Sequence, residues 1–316
     1  MTAVPTIDLL LAEKDPAERA RLDAACRDHG FFLLANHGIA PQIDAMWLAS
    51  EKFFSQPASE KRKLLRSKDE PLGYYDRELT KRKRDLKEVF DFMPPRPEGD
   101  MNQWPENNPG FKTALIDFTE HAGQLAARTL RLIYLSLNAD SSVAAELPKG
   151  KDRNSNIRLN YYPVNDPLTA DEAESVNALG DMALHHHTDP GILTLLVQDN
   201  VGGLQTESLE DGWIDVPPVP GTIVVNLGDA MQVWTNDNYR AAIHRVTPRH
   251  GQPRYSTPYF YNPQTDAVLE PLPALAGDDA KYHAFTWKDF IQARMNDNYA
   301  DLGADDTQIS NYLIAQ

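Results

Sequence analysis

Cysteine is almost missing from this sequence: Cys26 is the single one in 316 residues. One thiol can form neither an internal disulfide nor a multi-cysteine zinc site, and such a chain suits a reducing compartment. Positive charge is also scarce. Lys and Arg number 31 against 46 Asp and Glu, a formal charge of −15. Nucleic-acid binders and polybasic membrane anchors need a positive surface to meet phosphates, so we expect neither partner. No apolar run approaches the length of about 18 residues that a membrane span needs. The short apolar patch at 7–12 lacks a preceding basic segment, so no secretory signal is read and a cytoplasmic protein is expected. Repeats and low-complexity tracts are absent as well. What is present, 41% hydrophobic and 24% charged residues, is a globular composition and not a disordered one. Nothing in it points to an oligomer, and a monomer is expected.

The organisation changes near the middle of the chain. Helical spacing predicts helices over 16–29, 41–54 and 111–137, with Pro16 near the start of the first and Gly30 just past its end. Phe31-Phe32-Leu33-Leu34 predicts a buried strand, and the segments around Tyr74-Tyr75 and Val89–Phe92 can be extended. Beyond Pro148, short β-rich segments alternate with turn residues, at 157–162, 184–187, 193–198, 204–206, 213–216, 222–226, 244–246 and 256–261. That texture predicts an all-β sandwich or barrel, followed by a helix over 286–295. We therefore divide the chain into a mostly helical region 1–148, a β core 149–265 and a helical tail 266–316.

The chemistry is concentrated in that β core. In His187-Thr188-Asp189, an extended backbone would turn the imidazole and the carboxylate to one face. With His244 they could form a two-histidine, one-carboxylate facial set. Such a set leaves positions open for an organic ligand and oxygen on iron(II), although zinc accepts the same ligands. Arg254 and Ser256 are likewise two apart. A guanidinium grips a carboxylate through two parallel hydrogen bonds, and a hydroxyl adds a third. Asn160 and Tyr162 offer an amide and a phenol on another strand.

The run from His187 to Gln205, with Gly191, Gln198, Asp199, Gly202, Gly203 and Leu204 in place, resembles the core motif of the isopenicillin N synthase-like, plant-type 2-oxoglutarate- and iron(II)-dependent dioxygenases. So do Asn226-Leu227-Gly228-Asp229, His244-Arg245-Val246 and Arg254-Tyr255-Ser256. Upstream, Pro5-Thr6-Ile7-Asp8-Leu9, Gly30-Phe31-Phe32, Asn36-His37-Gly38, Lys61 and Asp85-Leu86-Lys87-Glu88 are similar to that family's first region. The resemblance implies an α+β fold, a double-stranded β-helix (jelly roll) core with an N-terminal helical region and a C-terminal helix. It implies iron(II) on His187, Asp189 and His244, and 2-oxoglutarate held by Arg254 and Ser256 with Asn160 and Tyr162 alongside. Oxygen would be the co-substrate and ascorbate an auxiliary reductant. The activity implied is hydroxylation, or desaturation or ring closure, at an unactivated C–H bond of a small metabolite, with release of succinate and carbon dioxide. By the same resemblance Arg158, Phe260 and Asn262 would line the substrate pocket. Arg158 could meet a substrate carboxylate or phenolate, or could pair with one of the many acidic side chains.

Other residues carry blander expectations. His185 shares the strand face of His187 and is a weak pocket candidate, while His186 should point away. His37 reads as structural, Cys26 as buried and inert, and Gly202-Gly203 as a turn. The basic run Lys81-Arg82-Lys83-Arg84 is either a solvated connector or a rim that attracts an anionic substrate. The segment from Trp234 to Ile243 departs from the family's usual turn before the second histidine. Two rivals remain: an oxidase of this fold that does not use 2-oxoglutarate, as in isopenicillin N synthase or aminocyclopropane-carboxylate oxidase, and a jelly-roll binding module without catalysis. The complete ligand set argues against the second.

Overall fold

The structure, a computed structural model, describes residues 4–67, 69–80, 83–97, 99–137, 154–180, 182–208, 211–248, 251–295 and 307–315. The strands are β1 (Thr6–Asp8), β2 (Phe31–Ala35), β3 (Gly73–Tyr75), β4 (Leu79–Thr80), β5 (Lys83–Arg84), β6 (Glu88–Phe92), β7 (Asn156–Tyr162), β8 (Leu184–His187), β9 (Leu193–Gln198), β10 (Leu204–Ser208), β11 (Gly212–Asp215), β12 (Thr222–Leu227), β13 (His244–Val246), β14 (Arg254–Tyr261), β15 (Val268–Leu269) and β16 (Phe285–Thr286). The helices are α1 (Leu9–Ala12), α2 (Pro16–Asp28), α3 (Ala40–Phe54), α4 (Ala58–Lys61), α5 (Pro109–Ser136), α6 (Ala170–Glu174), α7 (Asp229–Trp234), α8 (Pro273–Ala276) and α9 (Trp287–Met295). Each of the eight strands anticipated after Pro148 is present, with ends shifted by at most two residues.

Local chemistry sets the ends of α2. Asp15 accepts from the N–H of Ala17, Pro16 occupies the first turn, and the helix stops at Gly30. Gly30 has φ +61° and its N–H reaches the carbonyl of Ala25 at 3.0 Å. A Cβ there would lie 2.2 Å from the Arg240 carbonyl oxygen, so both conformation and space require glycine.

The strands form two main sheets. The larger runs β1-β2-β12-β9-β14-β7-β6-β3 and the smaller β11-β10-β13-β8. The eight strands from β7 to β14 are shared four and four between the two sheets, which is the jelly-roll core. The region before it is not helical only. Strand β2 pairs antiparallel with β12 and β6 with β7, so four early strands widen the larger sheet. The anticipated border at 148 and 149 lies outside the described residues.

Alternation along the strands explains why the larger sheet is apolar on both faces. Leu195, Val197, Ile223, Val225, Phe32, Leu34 and Tyr259 join Met46, Phe53, Leu115, Phe118 and Ala122 of α3 and α5 in one core. Their strand neighbours Leu196, Val224, Phe31, Leu33 and Tyr162 turn the other way and join Leu204, Ala242 and Val246 inside the roll. A strand buried on both faces reads as a continuous apolar run, as β2, β9 and β12 do. Each such side chain contributes about 1.5–3 kcal/mol on burial. The polar exceptions on the inner face, Thr194, Gln198, Asn226, Asn160, Arg254 and Ser256, are therefore the informative ones.

Candidate active site

The structure brings His187, Asp189 and His244 to one point, with one ligand atom from each lying within 4.8 Å of the others. His187 Nε2 is 3.6 Å and His244 Nε2 3.8 Å from Asp189 Oδ1. Strand register aligns the histidines, since β13 pairs with β8 and His244 lies opposite His187. Each Nδ1 lies against a main-chain carbonyl, His187 against His185 at 2.9 Å and His244 against Ala242 at 3.0 Å. Those contacts place the proton on Nδ1 and leave each Nε2 lone pair facing the common point.

Asp189 arrives differently from the sequence expectation. Strand β8 ends at His187, so Asp189 is on the following loop and strand alternation does not aim it. Its Oδ2 accepts from Thr194 Oγ1 on β9 and from Asn226 Nδ2 on β12 at 2.8 Å, which leaves Oδ1 toward the histidines. Burial raises the Asp189 carboxyl pKa, but His244, His187, Asn226 and Thr194 outweigh it and hold it below the ordinary value. Burial, then the adjacent His244, push the His187 imidazole down, so it is neutral at pH 7. Two imidazoles presenting Nε2 and one ionised carboxylate form a donor set that fits iron(II).

Further into the roll, Arg254 and Ser256 share the inner face of β14, and β7 sets Tyr162 opposite Arg254 and Asn160 opposite Ser256. Arg254 Nε donates to the Gly202 carbonyl at 2.8 Å, and its guanidinium lies 4.9 Å from the Tyr162 ring centre. Arg254 is 2% exposed, yet its Nη1 has no protein partner. A buried guanidinium with an open N–H fits a ligand carboxylate. Asn160 Nδ2 is 3.4 Å from Ser256 Oγ. A cavity of about 310 Å³ adjoins them, lined in part by Tyr162, Ala183, Val246 and Arg254.

The three pocket candidates separate. Phe260 shares the inner face of β14 and is half-buried. Asn262 is buried, with its amide donating to Asn154 O and Asn156 Oδ1. Arg158 is in the ion-paired state. Its three nitrogens donate to Asp91 and Glu78 at 2.7–3.0 Å. Glu78 also takes Arg66 and Lys87 at 2.7 Å, Arg66 also pairs with Asp91, and Lys87 pairs with Asp85. Burial opposes the charge on Glu78, but Arg158, Lys87 and Arg66 outweigh it and hold its pKa well below normal. His185 lies 3.3 Å from Asp85 at the edge of this cluster.

The remaining sequence expectations have definite outcomes. His186 is exposed and packs against Trp213. His37 is buried, its Nδ1 accepting from the Ile39 N–H, and Cys26 is fully buried. Lys61 forms a buried pair with Glu88 and donates to the Phe54 carbonyl. In the basic run, Lys81 and Arg82 lie outside the described residues and Lys83 is exposed. Arg84 corrects the rim idea for its own side chain: it is 1% exposed and paired with Asp166. In the departing turn, Asn236 and Asp237 take positive φ, which these residue types tolerate. Thr194, Asn226 and the Gly202 carbonyl were not given roles from the sequence. The first two lay within quoted motifs, but only the register shows which carboxylate they reach.

Comparison with known proteins decides what this geometry belongs to. Residues 153–263 match the model of the 2OG-Fe(II) oxygenase superfamily, and 4–107 match the "non-haem dioxygenase in morphine synthesis N-terminal" model. Jasmonate-induced oxygenase 2 of Arabidopsis thaliana is 32% identical over 87% of this chain and 74% of its own length. The chain belongs to the 2OG-Fe(II) oxygenase superfamily. 1-Aminocyclopropane-1-carboxylate oxidase 1 of Oryza sativa subsp. japonica is also 32% identical, over 92% of this chain and 88% of its own. A crystal structure of JOX2 in complex with 2OG, Fe and JA superposes with a TM-score of 0.82 at 26% identity, covering 99% of this chain and 90% of that one. This enzyme is an iron(II)- and 2-oxoglutarate-dependent oxygenase of small organic metabolites, with oxygen as co-substrate. Among the described residues, no helix is long and apolar enough to cross a membrane.

Proposed function

We propose that His187, Asp189 and His244 hold the iron, and that Arg254 and Ser256, with Asn160 and Tyr162 beside them, hold the far carboxylate of 2-oxoglutarate. The observation that carries this reading is the buried, unpartnered nitrogen of Arg254, in the same roll as the three converging ligand atoms. When bound, the iron couples decarboxylation of 2-oxoglutarate to oxidation of a substrate C–H bond. The chain's own part is orientation and exclusion of water. Thr194 and Asn226 fix the Asp189 carboxylate, and Gly202 fixes the Arg254 fork. Phe31, Leu33, Leu196 and Val224 keep the inner wall apolar.

The substrate enters over the more open ligand. The His187 side chain is 28% exposed, against 9% for His244 and 6% for Asp189. Phe260 and the 21% exposed edge of Arg158 are the wall positions nearest this reading, while Asn262 acts as a structural amide. The enzyme works as a cytoplasmic monomer in secondary metabolism, with ascorbate as auxiliary reductant and without nucleic-acid or membrane partners. Its net charge of −15 supports the last point. Of the three regions 1–148, 149–265 and 266–316, the first two act as one unit on this account, because early strands complete the larger sheet.

An anaerobic absorbance titration tests the site assignment. Iron(II) and then 2-oxoglutarate are added to metal-free protein, beside His187→Ala. A weak visible charge-transfer band in the native protein alone is expected. Iron binding of equal strength in both proteins would overturn the ligand assignment, and bound iron without a band would overturn the 2-oxoglutarate site.

A further inference from the structure

We propose that Arg294, on the C-terminal helix α9, is a positioning residue for the metal site, because it fixes the loop that joins His187 to Asp189. This rests on the ligand assignment above. One terminal nitrogen of Arg294 donates to the Thr188 carbonyl at 2.8 Å, and the other to the Thr307 carbonyl at 3.3 Å. Thr188 is the residue between the two proposed ligands. The side chain is 11% exposed and reaches within 4.0 Å of the Asp229 carboxylate, itself 1% exposed.

The neighbouring carbonyls of the loop are held by main-chain N–H groups. The Asp229 N–H donates to Asp189 O at 2.8 Å, and the Ala230 N–H to Pro190 O and Gly191 O at 3.2 Å. Those contacts come from the start of α7 and do not depend on side-chain identity. The Thr188 carbonyl is held by a side chain, and that side chain comes from a helix more than one hundred residues away. Arg294 therefore links the packing of α9 and the 307–313 segment to the peptide plane that precedes Asp189. The guanidinium suits this because its planar fork spans two carbonyls at once, which a single ammonium does not.

The test uses the full chain, metal-free, and titrates it anaerobically with iron(II) and separately with cobalt(II). Cobalt absorption reports ligand geometry at saturation, which loss of stability alone would not alter. Residues that orient metal ligands typically change affinity by about 10–100-fold. Arg294→Gln is expected to weaken iron(II) binding about tenfold or more and to change the cobalt spectrum, with Arg294→Lys intermediate. Removing Arg294 alone leaves Asp229 buried beside no cation, so a poorly folded R294Q is replaced by the charge-balanced pair D229N/R294Q, for which the same weakening is expected. Iron affinity within twofold of native and an unchanged cobalt spectrum, in whichever of these variants is folded, would overturn the proposal. Failure of His187→Ala to weaken binding would instead overturn the ligand assignment on which it rests.

Discussion

Replacing Arg254 separates recognition of a carboxylate from mere packing. In the native protein Nε is committed to the Gly202 carbonyl, and one buried terminal nitrogen has no protein partner. The other terminal nitrogen lies 3.5 Å from Gln198 Oε1, a weak contact that a carboxylate can replace. Two hydrogen bonds to a charged acceptor are thus available. Each contributes about 1.5–3 kcal/mol. Allowing for water that partly replaces them, Arg254→Gln is expected to cost about 3–4 kcal/mol of 2-oxoglutarate binding, or roughly 150- to 1000-fold in Kd. Lys recovers the charge but not the fork and is expected to fall between. The assay is the anaerobic titration of the iron(II)-loaded protein, followed at the visible band. The decisive comparison uses a 2-oxo acid of similar length that lacks the far carboxylate, such as 2-oxovalerate. Its affinity is expected to change by less than about threefold, or roughly 0.6 kcal/mol. Equal losses for the two acids would refute the reasoning, because the arginine would then act through the shape of the roll. So would a 2-oxoglutarate Kd within twofold of native.

Three further outcomes follow from the same geometry. Burial, partly offset by Arg294 and Thr188, raises the Asp229 carboxyl from 3.8 to about 6. The folded state therefore holds that proton more tightly than the unfolded chain, and stability is lost as pH rises from about 4 through 6. Metal-free Asp229→Asn is expected to match native stability near pH 4 and to exceed it by about 3 kcal/mol above pH 7, measured by urea unfolding; a pH-independent difference would refute this. Gly228→Ala would set a Cβ 2.2 Å from the Gly191 carbonyl oxygen and 2.7 Å from that of Asp189. We expect a loss of about 1–3 kcal/mol and weaker iron binding, and a native thermal midpoint with native metal affinity would contradict it. Arg158→Gln leaves the buried Glu78 and Asp91 short of one cation. The expected cost is about 3 kcal/mol with iron affinity unchanged, and a change under about 0.5 kcal/mol would show that the ion pairs carry little net stability.

Much of this protein was legible without coordinates, because its signals are local. Short β-rich segments set between turn residues placed the eight jelly-roll strands. Pro16 and Gly30 bounded the second helix, and the ligand and Arg-x-Ser motifs stood in recognisable order. Hydrophobic alternation and turn chemistry act within a few residues, so sequence carries them directly. What sequence left open were questions of partner. Arg158 had two readings, and only the folded chain set it between Glu78 and Asp91, both more than sixty residues earlier. Arg84 looked like a surface cation and became a buried pair with Asp166. Asp189 was expected to be aimed by a strand and is aimed instead by Thr194 and Asn226, from two strands that become neighbours only in the sheet. Arg294 bore no motif at all. Its contact with the Thr188 carbonyl depends on where the last helix packs. The sequence by itself therefore determined the elements, the family and the kinds of ligand. The tertiary structure decided which charges are neutralised, which guanidinium stays open and what aims the Asp189 carboxylate, since those outcomes depend on distances between segments far apart along the chain.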